Sequence, residues 1–174
     1  DKYFEKVHNF VLVSNQSAVT AMEQKSKELG FTTKVVSTEL YDETNNALKI
    51  IFEAKKENTV ILAAGEPRLE IKKNKGAGGR NLHMGLEAIK MKLIDEKSVF
   101  ISLASDGMDN TDSAGAIVDK NTIEKAKKLN LSADDCLVRF DSYNFFQKSG
   151  DLIITGPTGA NVSDLMILLT KDEK

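Results

Sequence analysis

Three stretches of the chain concentrate the residue types that hold or transfer charged groups. They are Lys75-Gly76-Ala77-Gly78-Gly79-Arg80-Asn81, then Ser105-Asp106-Gly107-Met108-Asp109-Asn110-Thr111-Asp112-Ser113-Ala114-Gly115, then Thr155-Gly156-Pro157-Thr158-Gly159-Ala160-Asn161. Glycine lets main-chain N–H groups approach an anion closely, and successive N–H groups make a concave nest. The first stretch runs into a helical pattern, so unpaired N–H donors and the helix dipole favour a phosphate or carboxylate there. Arg80 projects from that helix start, and its planar guanidinium can grip an oxyanion through two parallel hydrogen bonds. An ordinary exposed helix start would tolerate Arg80→Ala with little loss of stability. Gly76, Gly78 and Gly79 could equally serve only a hairpin or a tight entry to the helix, and local pattern does not choose between the two.

The second stretch gathers Asp106, Asp109 and Asp112. Asp106 follows a strand pattern directly, where functional carboxylates of α/β sheets gather. Magnesium takes one or two carboxylates plus substrate phosphate, so Asp106 or Asp109 could hold a metal. Aspartate is also a turn residue that bonds its own backbone, the expected role of Asp109 and Asp112. In the third stretch two glycines and Pro157 supply a turn, while Thr158 and Asn161 add a hydroxyl and an amide.

Other candidates carry less. His83 lies one turn beyond Arg80, where it either faces the same cleft or sits as a solvated or capped helix residue. Cys136 has no cationic neighbour in sequence and reads as a buried, inert thiol. Phe140, Tyr143, Phe145 and Phe146 are spaced as core packing.

Known nucleotide fingerprints fail. No Gly-Lys-Ser/Thr exists for a P-loop, and Asn81 stands where a dinucleotide fingerprint needs its third glycine. The 174 residues carry 24 Lys+Arg against 26 Asp+Glu, a net charge of −2, which removes the footprint of a nucleic-acid binder. No apolar run approaches the ~18–20 residues of a membrane span, and no basic segment followed by an apolar stretch, the pattern of a signal peptide, is visible in these residues, which start at Asp1. One cysteine and two histidines leave no disulfide and no zinc spacing. The expected location is cytoplasmic.

The elements that must position these loops are legible in outline. Short β-branched runs at 10–13, 32–36, 59–64, 99–103, 152–155 and 165–169 read as strands. Helical patterns span 17–29, closed by Gly30 as a C′ residue, then 44–56, 81–94 and the basic stretch 120–128, read as a wet face. A Ser132-x-x-Asp135 capping box opens another helix, and Asp141 or Ser142 caps the one that stops at Gly150. Alternating strands and helices imply an α/β fold, with a mostly parallel or mixed sheet flanked by helices on both faces. The expected organisation is a single domain over 1–174, with polar residues 55–58 marking a potential internal boundary near 58.

Taken in order, several motifs resemble one family. They are Gly78-Gly79-Arg80-Asn81, Asp106-Gly107-x-Asp109 with Thr111-Asp112-x-Ala114-Gly115-Ala116, Asp141-Ser142-Tyr143-Asn144-Phe145-Phe146, and the run from Gly150 to Val162. Together they look like the C-terminal, MOFRL part of the type II glycerate 2-kinases, some of which formerly carried the name hydroxypyruvate reductase. The stretch 11–30, with Ser14-Asn15, resembles the lead-in to that part. The resemblance implies transfer of the γ-phosphoryl of ATP to the 2-hydroxyl of D-glycerate with Mg2+, in a cleft between a Rossmann-like N-terminal domain and this one. It implies partners that are a small hydroxy acid and a nucleotide, with neither nucleic acid nor membrane. ATP and Mg2+ are not assigned to this domain by itself, and a homo-oligomer stays open. Arg80 matches a family arginine placed in the active site. On this reading Arg80 and Asp106 are the catalytic candidates. Gly78, Gly79, Asn81, Gly107, Asp141, Ser142, Gly156, Thr158, Gly159 and Asn161 are the substrate- or phosphate-binding candidates.

Two departures bear on substrate. Leu82 and His83 follow Asn81 where the family usually has Gln-Glu, and Arg139 and Phe140 precede Asp141 where it usually has Asn-Asn. The family's N-terminal domain, with its catalytic lysine, has no counterpart in these residues. The expectation is therefore half of a two-domain kinase, folded but inactive by itself. A stand-alone, non-catalytic anion-binding module and a hydroxypyruvate reductase-like enzyme are the alternatives.

Overall fold

The computed structural model describes residues 2–71 and 76–171; Asp1 and Lys75, named above, lie outside the described residues. In chain order the elements are α1 (Asn15–Glu28), β1 (Thr32–Ser37), α2 (Thr44–Glu53), β2 (Thr59–Gly65), α3 (Arg80–Lys90), β3 (Ser98–Ala104), β4 (Gly115–Val118), α4 (Lys120–Lys128), α5 (Ala133–Arg139), α6 (Ser142–Ser149), β5 (Leu152–Ile153) and β6 (Asp164–Thr170). The six strands form one mixed sheet in the order β1-β2-β6-β3-β4-β5. It continues across residue 58, because β1 pairs with β2.

Of the two options the sequence left, the sheet takes the mixed one: β1 and β2 are parallel and every other pair is antiparallel. The reason is β6, which enters from the 155–163 loop and inserts between β2 and β3, against both. Its first residue, Asp164, therefore pairs with Gly65 at the end of β2 and Ala104 at the end of β3. The carboxyl ends of β2 and β3 and the start of β6 share one edge of the sheet.

Strand burial follows from what covers each face. Every residue of β2 is buried, whereas β3 and β6 alternate buried with half-buried, as one covered and one partly covered face require. The main core joins Leu48 and Ile51 of α2, Leu82 and Leu86 of α3, and Phe145 and Phe146 of α6 to Phe100 and Met166 on the sheet. On the opposite face α1 packs Val19 against Val60, Leu62 and Ala64. Helices thus lie on both faces, with α1 alone on the second.

Local signals set the helix ends. Gly30 closes α1 in the left-handed region at φ +86, and the Ser132 hydroxyl accepts the Asp135 N–H at 3.1 Å to open α5. Asp119 and Thr122 form a reciprocal capping box on α4. Asp141 stands at the N-cap of α6 and Gly150 at its C-cap.

Three sequence expectations are corrected. The run 10–13 is not a strand: Phe10, Val11, Leu12 and Val13 are exposed and have no strand beside them. The helix expected over 81–94 starts at Arg80 and stops at Lys90, because Lys92 turns left-handed and the Leu93 N–H bonds back to Ala88. Gly115, taken as the end of a loop, opens a strand that runs to Val118; its four small or β-branched residues are too short a run to stand out from the polar segment before them.

Candidate functional site

The three polar loops converge on one cavity of about 1210 Å³ at the shared edge of β2, β3 and β6. The first contributes Gly76, Ala77, Gly78, Gly79 and Arg80, the second Ser105, Asp106, Met108 and Asp109, and the third Asn161. Convergence is enforced by bonds between loops. Thr158 donates its N–H to the Asp106 carbonyl at 3.0 Å and its hydroxyl to the Ser105 carbonyl at 2.6 Å. The Asn161 amide donates to the Asp106 carboxylate at 3.2 Å, and the Val162 N–H to the Ser105 hydroxyl at 2.8 Å. Gly107 packs so closely on Gly156 that a Cβ on Gly107 would lie 2.1 Å from the Gly156 carbonyl oxygen. Thr158, Gly107 and Gly156 therefore build the junction between the loops, and neither they nor Gly159 line the cavity.

Asp109 organises the start of α3. Its carboxylate, 5% exposed, accepts the Asn81 N–H and the Asn81 side-chain amide, both at 3.2 Å, and the Leu82 N–H at 2.8 Å. Two donors of the helix N-terminus are thus taken by an internal carboxylate, while the N–H groups of Gly78, Gly79 and Arg80 have no acceptor among the described residues. Burial drives the Asp109 pKa up to about 6; the bonds from Leu82 and Asn81 oppose the shift and the Asp164 charge adds to it. The role expected for Asp109, a local turn, gives way to a clamp across the fold. Asn81 is buried as well, its side-chain amide bonded to Asp109 and Asp164 and its oxygen accepting the Ser102 hydroxyl at 2.6 Å, so it backs the cavity and does not line it. The glycines of the first loop are what these neighbours leave room for. A Cβ on Gly79 would lie 2.3 Å from the Asp109 carboxylate, and one on Gly78 2.2 Å from the Ser142 hydroxyl.

Arg80 does not stand free in the cavity. Its Nε donates to the Asp164 carboxylate, and its Nη2 lies 3.2 Å from Glu66 Oε2. Asp164 is 3% exposed. Burial raises its pKa, opposed by the bond and charge of Arg80. For Arg80 burial alone would lower the pKa, but the Asp164 bond and the charges of Asp164, Glu66 and Asp109 outweigh it and the net shift is upward. The guanidinium is a permanent, oriented cation, with about a third of its side chain exposed toward the cavity. Glu66 and Asp164 were missed from sequence. Glu66 directly follows β2, so the rule that selected Asp106 at the end of β3 selects it too.

Asp106 is half-buried at the cavity wall, accepting the Met108 N–H at 3.0 Å and the Asn161 amide. Asp141 sits behind the wall and holds the first loop by accepting the Ala77 N–H at 3.1 Å, while Ser142 lines the cavity. Asp112 bonds the Tyr143 hydroxyl, which raises that hydroxyl's pKa. Cys136 is buried, as expected.

His83 and Phe140 meet. His83 is buried on α3 with Nε2 3.7 Å from Glu87 Oε1, and its ring stacks on that of Phe140 at 5.3 Å and 17°. Both line the cavity. Of the aromatics expected in the core, Phe145 and Phe146 are there, and Phe140 is not: it is half-buried in the left-handed C-cap of α5 and turned to the site. The two places where the chain departs from the family pattern are therefore in contact.

The MOFRL family model matches residues 59–164. The chain is 30% identical to a glycerate 2-kinase of Pyrococcus horikoshii, covering 97% of this chain and 40% of that protein. It is 33% identical to a D-glycerate 2-kinase of Thermotoga maritima, covering 95% and 42%. The crystal structure of a Thermotoga maritima glycerate kinase superposes with a TM-score of 0.86 at 32% identity, over 95% of this chain and 42% of that one. The chain thus spans about two fifths of the length of these relatives. Among the described residues no helix is long and apolar enough to cross a membrane.

Proposed function

The chain belongs to the MOFRL family, and on that premise we propose that it forms the substrate-binding part of a glycerate 2-kinase-like enzyme. In that enzyme the γ-phosphoryl group of ATP passes to the 2-hydroxyl of D-glycerate, with the rest of the polypeptide that the relatives carry completing the site. The observation that supports this most is the convergence of three loops on an arginine whose orientation is fixed by a buried carboxylate.

Phosphoryl transfer asks little covalent chemistry of the protein; it needs positioning and charge stabilisation. Arg80 supplies both. Asp164 holds its Nε, so the guanidinium is aimed before any ligand arrives and reorganises little when one binds. Glu66 is the replaceable partner, because about half of its side chain is exposed. The substrate carboxylate takes its place at Nη2, and the N–H groups of Gly78, Gly79 and Arg80 supplement the grip. Ser142 and Asp106 then border the hydroxyl-bearing end of the acid.

Asp106 is the residue that fits a magnesium ion, because it stands at the cavity wall with lone pairs beyond those used by Met108 and Asn161. Asp109 does not fit, its carboxylate being enclosed by α3. When bound at Asp106 with a nucleotide phosphate, magnesium would neutralise charge on the transferring group.

Titration of the protein with D-glycerate, followed by two-dimensional NMR, tests the reading. Saturable shifts at Gly78, Gly79 and Arg80 are expected, weakened at least tenfold in Arg80→Lys, which keeps the charge and loses the fork. An absence of shifts at millimolar acid overturns it. In a coupled ADP-release assay this chain alone should give no turnover. Turnover of order 1 s⁻¹, the low end for kinases, would overturn the division of labour.

A further inference from the structure

Part of the cavity wall is aromatic, formed by Phe140 stacked on His83, and nothing in the transfer of a phosphoryl group to a three-carbon acid requires it. Phe140 occupies the left-handed region at φ 53, ψ 46, which costs a bulky side chain on the order of 1 kcal/mol. The conformation is held by the Phe140 N–H to Leu137 and the Asp141 N–H to Cys136, at 3.1 and 2.8 Å, and by Asp141 gripping both Ala77 and Asn144. The strained turn brings the Phe140 ring over His83 and into the cavity. His83 is 6% exposed and Phe140 is half-buried, so His83 backs the ring and Phe140 presents its remaining surface to a ligand.

We infer that Phe140, backed by His83, is the specificity-determining wall of this cavity, and that the site prefers a 2-hydroxy acid bearing a planar or aromatic substituent to the bare three-carbon acid. This inference rests on the hydroxy-acid reading of the Arg80 end. Arg80 and His83 are three residues apart on one helix, a spacing of about 5–6 Å between side-chain origins. Arg80, His83 and Phe140 line one cavity, so an acid gripped by Arg80 can lay its substituent on the ring. Charge narrows the ligand further. Arg80 faces the charges of Glu66, Asp109 and Asp164, while Arg68, paired with Glu43, lines the same cavity. One carboxylate is matched at Arg80, and the adjoining hydroxyl can donate to Glu66 or Asp106, the more accessible acids of the wall. A flat ring on an aromatic face is worth enough, beyond the area it buries, for a preference of about two- to tenfold.

The test compares D-3-phenyllactate, D-glycerate and AMP by calorimetry and NMR on the wild type and on Phe140→Asn, a residue that tolerates the left-handed turn. Phenyllactate is expected to bind severalfold more tightly than glycerate. It should shift the Phe140 and His83 ring resonances of the wild type, a readout that needs no variant. In Phe140→Asn the ratio of the two affinities should fall close to one. Equal affinities in the wild type, or a ratio that survives the substitution, overturn this inference and leave the glycerate reading standing. AMP binding on the Phe140 ring at comparable affinity also overturns it, by giving the wall to a nucleobase. Binding of phenyllactate without glycerate supports it while removing the glycerate reading, and failure of both acids to bind overturns both.

Discussion

Asp164, the first residue of β6, takes the Nε–H of Arg80, the first residue of α3, from a position that is 3% exposed. The pair fastens the central helix to the sheet at the point where β2 and β3 end and β6 begins between them. It also sets the direction of the cation that faces the cavity. One contact thus bears on stability and on the cation offered to a ligand, and the two can be separated by mutation.

Removing Arg80 strands a buried carboxylate. Arg80→Ala is expected to cost about 2–3 kcal/mol, below the range for fully enclosed pairs because part of the guanidinium is exposed, and well above the small effect expected of an exposed helix start. Asp164→Asn in the same background should recover at least about 1 kcal/mol by removing the unpaired charge. Urea unfolding of the four proteins checks this. A double variant no more stable than Arg80→Ala would show that the charge is not what is being stranded.

Glu66 competes with an incoming anion for Nη2 of Arg80. Glu66→Gln keeps the shape and removes the charge, so the affinity for D-glycerate should rise about three- to tenfold, with a weaker dependence on salt. Calorimetric titrations at low and high ionic strength measure both. A fall in affinity would make Glu66 part of the grip and not its rival.

The burial of Asp109 links stability to pH. Its folded pKa, about 6, is above its ordinary 3.8, so protonation favours the fold. The stabilisation is fully present below 3.8 and is lost as pH rises through about 6. A shift of this size is worth on the order of 3 kcal/mol. The unfolding free energy should therefore decline from pH 4 toward pH 7 through this group, and Asp109→Asn should flatten that decline. Denaturant titrations across the range read it directly; an unchanged slope in the variant would place the linkage elsewhere.

Gly79→Ala should be destabilising although its backbone suits any residue, because the new methyl lands 2.3 Å from the Asp109 carboxylate and 2.5 Å from its carbonyl oxygen. A loss of about 1–3 kcal/mol is expected. Hydrogen exchange should accelerate at Asn81 and Leu82, whose N–H groups the displaced carboxylate now holds. Native protection there would mean that Asp109 moves aside freely.

The loops that converge on the cavity were legible in the chain itself, because glycine, aspartate and arginine have few reasons to cluster beside strand ends. Strands β1, β2, β3 and β6, the helix ends at Gly30 and Gly150, and the family resemblance were legible too, since periodicity and caps are local properties. Residues 10–13 misled because a β-branched run signals a strand only when another strand lies beside it. What only the tertiary structure decided is who partners whom. Arg80 meets Asp164 across 84 positions and Asn81 meets Asp109 across 28, and His83 finds Phe140 through a left-handed turn after α5. These pairings depend on β6 inserting between β2 and β3 and on which groups lose their water. Side-chain type states what a residue can bind; chain crossing and burial settle what it does bind, and no local spacing contains that information.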